Sequence, residues 1–72
     1  MLNTTENTLS VGRYLVSPLT RFNEAGQYTA AVSIRNGSHD RVFRFTPEFP
    51  TREDADRYAI AEGRRWIRQR FA

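Results

Sequence analysis

The sequence predicts an α+β domain, a three-stranded antiparallel meander with one C-terminal helix packed on one face (βββα). Three observations carry that expectation. Residues 28–35 and 41–46 alternate apolar and polar side chains, the pattern of strands with one buried and one open face. Asn36-Gly37 stands between them, a strong hairpin signal because both residues tolerate positive φ. From Thr51 onward the apolar residues switch to helical spacing.

Residues 1–10 are rich in Asn and Thr and lack periodicity, so they read as a flexible N-terminal tail before a single domain over 11–72. The first strand is Val11 to Pro18, β-branched and aromatic, with Pro18 expected to stop it or confine it to an edge. Leu19 to Gln27 reads as a linker whose turn is Asn23-Glu24-Ala25-Gly26. It is long for a hairpin, so Leu19 and Phe22 are expected to fold back onto the core. In the second strand Tyr28, Ala30, Val32 and Ile34 share one side, and Thr29, Ala31, Ser33 and Arg35 the other. In the third, Phe43 and Phe45 oppose Val42 and Arg44, and Pro47 is expected to end the run.

The helix is expected over 51–71. Thr51 is placed to cap it, and Asp54 follows three residues on. Ala55, Ala59, Gly63, Trp66 and Ile67 fall on one side at 100° per residue. A glycine there costs about 1 kcal/mol of helix propensity, which implies close approach to the sheet, with Trp66 filling space one turn later. The predicted core is Tyr14, Val16, Tyr28, Ala30, Val32, Ile34, Phe43, Phe45, Ala55, Ala59, Trp66 and Ile67, with Phe22, Phe49 and Phe71 sealing its edges. Chains this short bury only about 60% of their unfolded surface, so self-association is expected.

The 72 residues carry 11 Arg and no Lys against 8 acidic residues, one His and no Cys, for a formal charge of +3. Every cation is therefore a planar guanidinium able to fork onto carboxylates, phosphates or base edges. The length excludes doubly wound, barrel and repeat folds. No apolar run is long enough to span a membrane. The opening residues carry no secretory pattern and there is no Cys, so the expected location is cytoplasmic.

The stretch Tyr14 to Pro18, the Gly26-Gln27-Tyr28 strand entry, Thr51-Arg52-Glu53-Asp54-Ala55 and the ending Ala61-Glu62-Gly63-Arg64-Arg65-Trp66-Ile67 resemble a group of small uncharacterised bacterial proteins. That resemblance covers roughly residues 12–70 and implies the fold without implying an activity. A weaker likeness is to three-stranded DNA-binding domains of the ethylene-response-factor and integrase arm-binding type, through Phe49-Pro50-Thr51-Arg52-Glu53-Asp54-Ala55. Those domains read the major groove with Arg and Trp on the open sheet, whereas the only Trp here is on the helix. Capping chemistry explains the shared helix entry, which makes it evidence about fold.

Catalysis needs convergent titratable groups. His39 stands alone in a hairpin loop, where histidines are usually solvated, and one His without Cys makes a zinc site improbable. Glu53, Asp54 and Asp56 suit the positive end of a helix dipole. The four glycines are scattered rather than gathered into a phosphate loop. No enzymatic activity, cofactor, metal or small-molecule ligand is expected.

Two surfaces remain. On the open sheet face Leu15, Ala31 and Val42 form an apolar centre ringed by Arg13, Arg35 and Arg44; this reads equally as an arrangement closer to a protein interface than to a phosphate groove or as a surface that the tail or the 19–27 linker covers. The helix carries Arg57, Arg64, Arg65 and Arg68, with Arg70 beyond. These are read either as phosphate-binding groups or as cations that favour a helix C-terminus and pair with Glu53, Asp54 and Glu62. The expected function is a small non-catalytic interaction module, self-associating or binding a protein partner through the open face. The alternative is a DNA- or RNA-binding module using the arginines of the sheet or the helix.

Overall fold

The computed structural model describes residues 8–70. Five antiparallel strands form one sheet: β1 (Leu9–Val11), β2 (Tyr14–Pro18), β3 (Arg21–Phe22), β4 (Tyr28–Asn36) and β5 (His39–Phe49). A single helix, α1 (Arg52–Arg70), packs across one face. The α+β class and the C-terminal helix agree with the sequence; the strand number does not.

The two extra strands correct the expected boundaries. Leu9 and Ser10, placed in a tail by the sequence, pair with Val16 and Leu15. Residues 1–7 of that expected tail, and Phe71, lie outside the described residues. Nor is 19–27 a linker. β2 and β3 lie end to end along one edge of β4 in a single register, Pro18 opposite Val32 and Arg21 opposite Thr29. Between them Leu19 N–H donates to the Ala31 carbonyl at 2.8 Å. The turn is a short one: Gly26 N–H bonds the Asn23 carbonyl at 3.2 Å, and Asn23 Oδ1 accepts from Ala25 and Gln27 N–H. Gly26 takes φ +81°, the left-handed position that a three-residue hairpin loop requires.

Pro18 does not stop the strand because of which way its nitrogen points. Backbone groups alternate between the two edges of a strand. Since Leu19 N–H faces β4, the nitrogen of Pro18 faces away, where a proline costs no ladder bond. Pro47 does not end β5 either. The pairing of β4 with β5 shifts between Thr29 and Ala31, and Pro47 sits in the irregular stretch of an edge strand that resumes at Glu48. The hairpin turn is also displaced by one residue: Asn36 pairs with His39, so Gly37-Ser38 is the loop, with Gly37 at φ +64°.

The core follows the sequence pattern. Val16, Ala30, Val32 and Ile34 from the sheet meet Ala55, Ala59, Gly63 and Ile67 from α1, all buried. The aromatic residues of the predicted core pack around them. Trp66 lies 5.4 Å from the Phe43 ring and 6.2 Å from Tyr14, with the Arg70 guanidinium 4.8 Å from its centroid. Phe49 joins Tyr58 at the edge. A Cβ added at Gly63 would stand 3.0 Å from Val16 Cγ1 and 3.3 Å from Val32 Cγ2. That is the close approach the mid-helix glycine implies. Thr51 caps α1, its Oγ1 accepting from Asp54 N–H at 3.1 Å. Leu19 and Phe22 depart from expectation: both are exposed, Leu19 because strand alternation sends it to the face opposite the helix.

Candidate functional site

Cross-strand partners share a face, so the pairing lays out the helix-free side of the sheet row by row. The first row is Ser10, Leu15, Arg35 and Asp40; the second Ser17, Ser33 and Val42. The third is Leu19, Ala31 and Arg44; the fourth Arg21, Thr29 and Glu48. The middle strand contributes Thr29, Ala31 and Ser33, whose short side chains make a floor. Leu15, Leu19 and Arg21 rise on one side and Val42 and Arg44 on the other.

Two hollows of about 490 and 400 Å³ follow this trough and share Leu19 and Val42 as walls. Leu15, Leu19 and Val42 are 43%, 41% and 49% exposed, three of the four large apolar side chains open to solvent among the described residues. At one end Asp40 accepts from Ser33 Oγ at 2.6 Å and stands 3.9 Å from Arg35. At the other, Arg21 and Arg44 have no carboxylate within ion-pair distance among the described residues; with Glu48 in the last row, that half carries two guanidinium groups against one carboxylate.

The structure thus brings together five of the six residues expected there: Leu15, Ala31, Arg35, Val42 and Arg44. Arg13 is the exception. It occupies the Gly12-Arg13 turn between β1 and β2, outside the rows, because the strand begins only at Tyr14. Leu19 and Arg21 were missed. Their signal was the period-two continuation Leu15, Ser17, Leu19, Arg21, hidden by treating Pro18 as a stop.

On the helix, Arg57 pairs with Asp54 and Arg65 with Glu62, each at 3.5 Å. Arg64 and Arg68 are exposed without a carboxylate in reach among the described residues. This cationic surface lies on the far side of the molecule from the trough. A Ser-His-Asp relay is not assembled: Ser33 bonds Asp40 directly, and His39, one residue along the strand, takes the opposite side of the sheet. No group of three or more His, Asp or Glu side chains able to hold a metal occurs among the described residues. None of the described helices is long and apolar enough to cross a membrane.

A family model described as a domain of unknown function (DUF6566) matches residues 4–72. The chain belongs to the DUF6566 family. No curated protein and no solved structure matches it. The expected kinship with small uncharacterised proteins agrees with the DUF6566 match, and the likeness to DNA-binding domains finds no counterpart in it.

Proposed function

We propose that this DUF6566 domain is a non-catalytic docking module whose helix-free sheet face holds a segment of a partner protein. The occupant is apolar in its middle and carries carboxylates toward the Arg21–Arg44 end. The observation behind this reading is the trough itself. Exposed Leu15, Leu19 and Val42 flank a floor of small side chains, and the guanidinium groups of Arg21 and Arg44, without a carboxylate in reach among the described residues, close one end. An apolar centre with an arginine rim is the composition of protein interfaces, whereas a phosphate-binding face would need cations through its middle.

Selection of displayed random peptides against the chain tests this. Binders are expected to combine large aliphatic or aromatic residues with Asp or Glu, and to shift the amide resonances of Leu15, Leu19, Ala31 and Val42. Leu19→Asp should abolish binding while the far-ultraviolet spectrum is unchanged. Retention on random duplex or heparin that falls steeply with salt and depends on Arg64 and Arg68 would establish the nucleic-acid reading instead.

A further inference from the structure

We propose that two copies of this chain pair through the outer edge of β5, antiparallel and with Val42 on the two-fold axis. The pairing runs through the backbone of the sheet's edge, whereas docking uses the face; Val42 and Arg44 contribute side chains to both, and Leu19→Asp, which leaves the edge untouched, separates the two readings. The argument begins with backbone direction. Because Ala31 C=O faces Leu19, the alternate residues Val32 and Ile34 turn their backbone groups toward β5. Their partners Phe43 and Arg41 therefore spend their N–H and C=O groups on β4. Asp40, Val42 and Arg44, lying between, direct theirs outward, where no strand pairs with them among the described residues.

Those same three residues are self-complementary in side chain. A two-fold axis at Val42 sets Val42 against Val42, and each Asp40 against the second copy's Arg44. Directly opposed residues on paired strands have Cβ atoms about 4.5–5.5 Å apart, and opposite charges there attract. Arg44 has no carboxylate in reach among the described residues, while Asp40 stands 3.9 Å from Arg35; the pairing gives Arg44 a carboxylate opposite. On the helix side it brings Arg41 beside the second copy's Phe43, next to a hollow of about 240 Å³ lined by Phe43, Phe45, Trp66 and Gln69.

Register supports the placement as well. Sheet edges are commonly blunted by prolines and bulges. Both devices fall in the second half of β5, at Pro47 and the shifted pairing, and leave 39–44 regular. Centred on Val42, Pro47 lies opposite the second copy's Gly37, beyond the end of its strand, so it does not obstruct the ladder.

Sedimentation equilibrium across a concentration series reaching the millimolar range tests the proposal. The wild-type chain is expected to form dimers. Asp40→Arg and Arg44→Asp should each weaken them about tenfold or more, since both symmetry-related pairs turn repulsive. The double variant should recover most of that loss. Val42→Pro removes an outward N–H that β4 does not use, so it should abolish dimers with the fold intact; if it fails to fold, the charge variants carry the test alone. A wild-type monomer throughout the series would overturn the pairing. So would a double variant no better than either single one, or dimers that survive Val42→Pro and vanish with Leu19→Asp.

Discussion

The two faces of β4 are built from alternate residues of one nine-residue strand and have opposite fates. Ala30, Val32 and Ile34 vanish beneath α1, with Val32 fully enclosed. Thr29, Ala31 and Ser33 form the floor of an open trough. The difference does not come from strand propensity, since both sets suit a pleated sheet. It comes from the helix, whose small residues Ala55, Ala59 and Gly63 let it settle onto one face alone. The one helix supplies one covering layer, and the other face keeps Leu15, Leu19 and Val42 open to solvent.

Three substitutions sharpen that contrast. The largest effect is expected at Gly63→Val. Its Cβ would already press on Val16 at 3.0 Å, and a branched side chain lifts the helix from the sheet. Overpacking of this kind costs about 3 kcal/mol, read as a fall in urea midpoint that outweighs the gain in helix propensity. Next comes Val32→Ala, which empties part of a fully buried site and should cost about 2 kcal/mol by lost burial and the cavity left behind. The smallest belongs to the open face: Leu19→Ser should change stability by less than about 0.5 kcal/mol. Its midpoint matching that of Val32→Ala would show that the trough is an internal surface after all.

Much of this arrangement was legible in residue order. The alternation from Tyr28 to Arg35 gave both faces of the central strand, and Gly63 foretold the point of closest helix approach. Two of the differences share a physical origin. Pro18 and Pro47 predict strand ends because proline lacks an N–H, yet that matters only where the N–H would face a neighbouring strand. At Pro18 the missing donor points away from β4, and at Pro47 it falls in an irregular edge. Direction of this kind depends on register, which is set by the turns at Gly26 and Gly37 and by the shifted β4–β5 pairing. Composition alone does not carry it. Taking Pro18 as a stop hides Leu19 and Arg21 from the open face, whereas Arg13 is lost from it for another reason, the Gly12-Arg13 turn that starts β2 only at Tyr14.

Trp66 offers a consequence of a different sort. It is the chain's single indole, seated between Phe43 and Tyr14 on the sheet and the guanidinium of Arg70 from the last helical turn. Its fluorescence therefore reports the seam between the two layers and stays blind to ligands arriving from the other side. The molecule carries its own optical gauge of helix docking, which tells without a dye whether a substitution in the trough has left the two layers closed.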